Sequence, residues 1–208
     1  MTALALSDRP VAADDLSDLE RRVLDATNRC ISRWGVAKTT LEDVAREAGC
    51  SRASVYRAFP GGKDALVQRL VQRELTEFFT RIDSRLAAAG SLEDLVVSGI
   101  VEASTAVLDH VALQYLLQFE PEAILPHVSF TRFDEVLATA TDFAAPHLER
   151  WLDPQQARRS AEWVTRVVVS YVMCPSPGVD LRDEDSVRQL VRHFILPGLT
   201  RIQGAATA

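Results

Sequence analysis

Apolar residues recur three and four positions apart along almost the whole chain, while the strict alternation of a half-buried strand is nearly absent, so the pattern predicts an all-α protein. Residues 1–15 mix Ala, Asp, Pro and Ser without periodicity and read as a disordered arm. Ser17 and Glu20 have the spacing of a capping box, and Leu19, Val23, Ala26, Cys30, Ile31 and Trp34 follow as one stripe until Gly35 stops the helix. A long helix is expected from Asp64, with Leu66, Leu70, Phe78, Ile82 and Leu86 on its stripe, ending at Gly90. Helices then follow from Ser91 to about Leu108, over Val111 to Phe119, Phe130 to about Thr141, Phe143 to Leu152, Gln155 to Met173 and Asp185 to Leu196. Prolines 121, 126, 146, 154 and 175 are the expected breaks.

The most informative stretch is Thr39 to Asp64. Thr40 caps a short helix with Asp43 three residues on, and Leu41, Val44, Ala45 and Ala48 form its apolar stripe. Gly49 suits the left-handed conformation of a tight turn, and Ser51 is placed to cap a second helix in which Val55 and Phe59 are buried together. This is a helix-turn-helix. Its second helix fits the DNA major groove, where the N-terminal residues meet base edges. Charge agrees locally. Arg21 through Lys63 holds nine basic and four acidic residues, a net +5 in a chain whose total is −6, and the only two lysines, Lys38 and Lys63, flank the motif. Arg52 and Ala53 are assigned to base edges, the former as a bidentate partner of guanine and the latter against a thymine methyl. Thr39, Thr40, Ser51, Ser54, Tyr56 and Lys63 are assigned to phosphates, and Arg57 to either.

From about Arg22 to Leu66 the chain resembles the DNA-binding domain of the TetR family of transcriptional regulators. The resemblance is carried by Trp34-Gly35, Lys38-Thr39-Thr40, Val44-Ala45, Ala48-Gly49-Cys50-Ser51, Ser54-Val55-Tyr56, Phe59 and Lys63-Asp64-Ala65-Leu66. It implies a three-helix helix-turn-helix domain over residues 16–63 and a helical effector-binding and dimerisation domain over 64–208, with the long helix as a strut between them. The implied activity is that of a ligand-responsive homodimer bound to a palindromic operator in double-stranded DNA, usually a repressor. Two-fold pairing has a physical rationale as well, because one recognition helix touches too few base pairs and a dimer doubles them, with half-sites roughly 34 Å apart or a multiple of that. The apolar positions 164, 167, 168, 171 and 172, with 187, 190, 191, 194 and 195, are candidates for that interface.

At 208 residues, 47% hydrophobic and 25% charged, the chain can bury a sizeable core. Three cysteines do not form a paired disulfide framework, and they are expected reduced and mostly buried. No long apolar run and no leader pattern is present, which predicts a cytoplasmic protein without membrane association. An effector pocket is implied by the resemblance alone. Its candidate walls are Tyr115, Phe119, Phe133, Phe143 and Trp163, with Thr105, Gln118 and His147 as orienting polar groups, which suits a small apolar or amphipathic molecule. The four histidines have neither paired helical spacing nor a cysteine partner, so no metal site is expected, and no cofactor either. No nucleophile elbow, phosphate loop or metalloprotease motif occurs, so no catalytic residue is assigned. The competing reading is a helical small-molecule-binding protein or enzyme with a vestigial head, which would require a catalytic constellation in residues 91–208; the sequence offers none.

Overall fold

The computed structural model describes residues 16–120 and 133–199. They form helices α1 (Asp18–Lys38), α2 (Leu41–Ala48), α3 (Arg52–Ala58), α4 (Gly62–Ala88), α5 (Leu92–Leu108), α6 (Val111–Phe119), α7 (Phe133–Leu148), α8 (Pro154–Met173) and α9 (Glu184–Leu190), the last continued by a π-helical turn, Val191–Ile195. The fold is all-α, with no strand among the described residues. The expected arm over residues 1–15, the helix start at Phe130 and the breaks at Pro121 and Pro126 lie outside them.

Two compact units emerge. The first gathers the described residues up to Phe79 with those from His110 to Glu120. The second takes Thr80 to Asp109 and the described residues from Phe133 onward. The grouping follows burial rather than the order of elements. Leu66 and Leu70 of α4 and Ala112 of α6 are buried in the same cluster as Val23, Leu24, Cys30 and Ile31 of α1, Val44 and Ala45 of α2, and Val55 and Phe59. α6 and the early part of α4 are therefore part of the core that supports the helix-turn-helix, in contrast to a cut after Lys63.

Local signals set the helix starts in this unit. Ser17 caps α1 in a complete capping box with Glu20, and Thr40 caps α2 in another with Asp43. Gly35 departs from the simple stop expected of it. It takes φ 78° and ψ 173° inside α1, and the helical turn resumes through Lys38, so the helix is broken there and not ended. α4 begins at Gly62, two residues ahead of the expected start.

In the second unit, Ile82 and Leu86 of α4 and Leu95, Val96, Val97 and Ile100 of α5 are buried, and further buried residues come from α7, α8 and α9. Three expectations are corrected here. The two helices predicted on either side of Asp142 are one, α7, because nothing at 141–143 breaks a helix and Pro146 removes a single donor near the exposed end. Pro154 is the first residue of α8 rather than a break ahead of it, with the Asp153 carboxylate accepting from the Gln156 amide at 2.9 Å. The α9 stripe is spent on its own core, since Val187, Leu190, Val191 and Ile195 are buried; only Phe194, 72% exposed, turns outward. By contrast, positions 164, 167, 168, 171 and 172 of α8 are half-buried, and Trp163 and Met173 are exposed. No single helix among the described residues is long and apolar enough to cross a membrane.

Candidate DNA interface

The recognition element is held by short-range hydrogen bonds. Gly49 ends α2 in the left-handed region at φ 65°, and the Cys50 amide donates to the Ala45 carbonyl at 3.0 Å, which turns the chain sharply. The Ser51 hydroxyl oxygen then accepts from the Ser54 amide at 3.1 Å and starts α3. Val55 is fully buried and Phe59 nearly so, which fixes the inner face of α3. What remains, Arg52, Ala53, Tyr56 and Arg57, is exposed.

Electrostatics separate the basic residues into two groups. Arg29 and Arg33 both bond Glu47, at 2.7 and 3.3 Å, and Arg46 lies 3.5 Å from Asp43. Hydrogen bonding from Arg29 holds the Glu47 carboxyl below the usual carboxylate range, and the Thr40 hydroxyl does the same for Asp43. Arg29 and Arg33 thus brace α1 against α2, while Arg46 pairs within α2. Arg22, Lys38 and Arg52, in contrast, make no hydrogen bond or ion pair among the described residues. Arg52 thus presents an uncompensated guanidinium at the first turn of α3, where a groove-bound helix offers side chains to bases.

The other assigned residues take mixed positions. Ser54 bonds Ser51 at 2.9 Å and receives Arg57 at 3.3 Å, so three candidates form one small network on the outer face of α3. Thr40 and Ser51 serve as caps while remaining exposed. Thr39 is the clear departure. It is 4% exposed and its hydroxyl donates to the Gly35 carbonyl at 2.6 Å, so its side chain faces the core and not a phosphate. Lys63 donates from Nζ to the Ala37 carbonyl at 3.1 Å, closing the broken end of α1 while two further ammonium protons remain available.

The eight effector-pocket candidates are not gathered in one unit. Tyr115, Gln118 and Phe119 belong to the first, where Tyr115 and Phe119 rings lie 4.9 Å apart and Gln118 and Phe119 are exposed. Thr105, Phe143, His147 and Trp163 belong to the second. There Thr105 and Phe143 are half-buried, His147 pairs with Asp83 at 3.2 Å beside the Phe143 ring, and Trp163 is exposed. The side chain of Phe133 lies outside the described residues. Sequence reasoning passed over two other groups in the second unit. Ser104 of α5 and Thr141 of α7 are 0% and 6% exposed, and neither hydroxyl has a hydrogen-bond partner among the described residues. A single hydroxyl inside an apolar stripe gives no sequence signal, because most such groups bond a carbonyl one turn back. Burying one unpaired costs about 1–3 kcal/mol.

Cys30 is buried and its thiol is pushed up by that burial, Cys50 is half-buried, and Cys174 is exposed, contrary to the expectation of mostly buried cysteines. His110 caps α6, its Nδ1 accepting from the Leu113 amide at 3.1 Å while Nε2 faces Glu74 at 3.2 Å.

Residues 23–70 match the family described as bacterial regulatory proteins, tetR family. A similar protein is an uncharacterised HTH-type transcriptional regulator of Mycobacterium tuberculosis, 28% identical over 188 residues that make up 89% of this chain and 87% of that one. The fold is similar to that of the TetR family repressor AlkX from a Dietzia strain, implicated in biodegradation of n-alkanes, with a TM-score of 0.58 and 24% identity over 86% of this chain and 97% of that one. It is similar also to the regulator FadR from Bacillus subtilis in complex with stearoyl-CoA, with a TM-score of 0.56 and 18% identity over 82% and 96% of the two chains. The motif read from Thr39 to Asp64, its open outer face and these likenesses agree: residues 23–70 match the DNA-binding domain of the tetR family of bacterial regulatory proteins, and most of the chain is similar to an HTH-type transcriptional regulator.

Proposed function

We propose that this protein is a ligand-responsive homodimeric repressor that binds a palindromic operator through α3 and leaves it when a small apolar or amphipathic effector binds. The observation that carries the reading is Arg52, exposed at the first turn of α3 with no acidic partner among the described residues, on a helix anchored by Val55 and Phe59. Arg52 and Ala53 read base edges. Thr40, Ser51, Ser54, Tyr56 and Lys63 fix register on the phosphates, with Arg57 able to do either. The half-buried stripe of α8 with exposed Trp163, Met173 and Phe194 supports a second copy as the partner that covers it. Such a dimer would be cytoplasmic, where its DNA is.

Effector binding falls to the second unit, where the hydroxyls of Ser104 and Thr141, unpaired among the described residues, support a ligand that is mostly hydrocarbon with one polar group. Stearoyl-CoA on FadR and n-alkane degradation for AlkX favour a long-chain acyl or alkyl compound as the class. Release requires only that the effector prefer the state that misfits the operator, and tenfold weakening corresponds to about 1.4 kcal/mol of coupling. The test is a mobility shift on the DNA that flanks the protein's own coding sequence, with and without long-chain acyl-CoA and free fatty acid. A shifted band lost on adding either compound supports the proposal; no shift on that DNA, together with no duplex retained from a random pool, contradicts it.

A further inference from the structure

The break in α1 is closed from outside the helix-turn-helix. Gly35, at φ 78° and ψ 173°, interrupts the hydrogen-bond ladder, so the amides that follow it start a new turn and lack an acceptor one turn back. The acceptor they find is the carboxylate of Glu120. Its Oε2 takes the Val36 amide at 2.9 Å and the Ala37 amide at 3.3 Å, from 84 and 83 residues away. The fit is close. A Cβ added to Gly35 would stand 2.1 Å from Glu120 Oε1 and 2.5 Å from the carboxyl carbon, so only glycine admits this approach, quite apart from its positive φ.

The same short segment is tied on its other side. The Gly35 carbonyl accepts the Thr39 hydroxyl and the Ala37 carbonyl accepts Lys63, and Thr40, the next residue after Thr39, caps α2. The Val36 and Ala37 amides, the Gly35 and Ala37 carbonyls and the Thr39 hydroxyl of this connector are thus bonded by α4, by the connector itself or by Glu120. Glu120 sits immediately after α6, whose Ala112 and Leu116 pack on the core of the first unit. α6 is rooted at its other end by His110, bonded to Glu74 of α4.

We infer that Glu120 is a positioning residue for DNA binding: its carboxylate clasps the Gly35 break and so holds α2 and α3 in the arrangement that reads the groove. The inference rests on the DNA-reading role proposed above. Without the clasp, the connector samples other conformations and only a fraction of molecules is ready to bind, which lowers apparent affinity by that fraction. Two charge-assisted hydrogen bonds of this kind are enough to set a loss of about tenfold.

The sign of the effect separates the clasp from simple electrostatics. Removing a negative charge near a DNA-binding face strengthens binding to any duplex, and does so equally for alanine and glutamine. The clasp demands the reverse. The probe is a duplex selected by the wild-type protein from a random-sequence pool, with affinity measured by fluorescence anisotropy on the full-length chain. Glu120→Ala binds about tenfold more weakly, whereas Glu120→Gln, which keeps an acceptor oxygen in place, stays within about threefold of wild type. Should the alanine variant fold poorly by circular dichroism, Glu120→Asp, one methylene shorter, takes its place and is weaker than the glutamine variant. Amide exchange at Val36 and Ala37, followed without DNA, accelerates in the alanine or aspartate variant and stays slow in the glutamine one. Equal or tighter binding by Glu120→Ala, or unchanged exchange at those two amides, overturns the clasp. A pool from which the wild type retains no duplex overturns the DNA-reading role instead, and the exchange measurement still decides the clasp.

Discussion

The two compact units treat their buried hydroxyls in opposite ways. In the first, Thr27 donates to the Val23 carbonyl at 2.7 Å and Thr39 to the Gly35 carbonyl at 2.6 Å, while Thr40 and Ser51 cap the two helices of the reading motif. In the second, Ser104 and Thr141 are buried with no hydrogen-bond partner among the described residues. The first unit bonds its buried hydroxyls, although Asn28 Oδ1 and Arg73 Nε are buried there without a hydrogen-bond partner among the described residues, and it turns Arg52 and Tyr56 to the outside. The contrast between the units is therefore one of hydroxyls. A hydroxyl buried without a partner costs stability that a bond to it would recover, so Ser104 and Thr141 are positions where a polar partner adds most.

The largest effect is expected in the core beneath the helix-turn-helix. Phe59→Ala empties a position that is 6% exposed beneath α3, and should cost about 3–5 kcal/mol, read as a drop in the urea midpoint and loss of duplex binding at a fixed concentration. Retained binding with an unchanged midpoint would mean that α3 is held by something other than this packing.

A matched pair of substitutions tests the contrast in hydroxyls. Thr40→Val removes the cap of α2 and should destabilise by about 1 kcal/mol, whereas Thr141→Val replaces an unpaired hydroxyl by a methyl and should leave stability unchanged or raise it by up to about 1 kcal/mol. The same chemical change is expected to act with opposite signs in the two units. Two losses of equal size by thermal denaturation would erase the distinction.

The smallest effect is pH dependence. Asp43 is held low chiefly by the Thr40 hydroxyl and Glu47 chiefly by Arg29, so each has a folded-state value below its unfolded one. Such groups stabilise the fold above the unfolded value, and that contribution is lost as pH falls through the depressed folded value. The urea midpoint should therefore be flat near neutrality and decline below about pH 5. Thr40→Val removes the main cause at Asp43, so its decline should be shallower than that of the wild type. An identical slope would place the acid sensitivity elsewhere, for example at Glu93 and Asp94, which bonds from Arg188 and Ser91 hold low in the second unit.

What was legible in the chain was local. The capping pairs Ser17 with Glu20 and Thr40 with Asp43, the left-handed Gly49 and the Ser51 cap are all decided within three or four residues, and all are found where their spacing puts them. The spans of α5 and α6 follow for the same reason. Tertiary decisions were not legible. Nothing in the α9 stripe distinguishes burial in its own unit from burial against a partner, and nothing near Thr39 tells that its hydroxyl turns inward to Gly35. α7 runs through Asp142 because a proline near a helix end is weaker punctuation than its reputation suggests. Glu120 meets Val36 across 84 residues, and a lone glutamate after an apolar helix carries no sign of that meeting.

The most direct test of the account is the ratio of affinities for a selected duplex and a scrambled one of equal length, measured for wild type and Arg52→Ala at two salt concentrations. Arg52 reading a guanine predicts that the variant loses about 1–3 kcal/mol on the selected duplex and little on the scrambled one, so the ratio collapses while the urea midpoint stays put. An unchanged ratio, or equal weakening on both duplexes, would contradict base reading by α3.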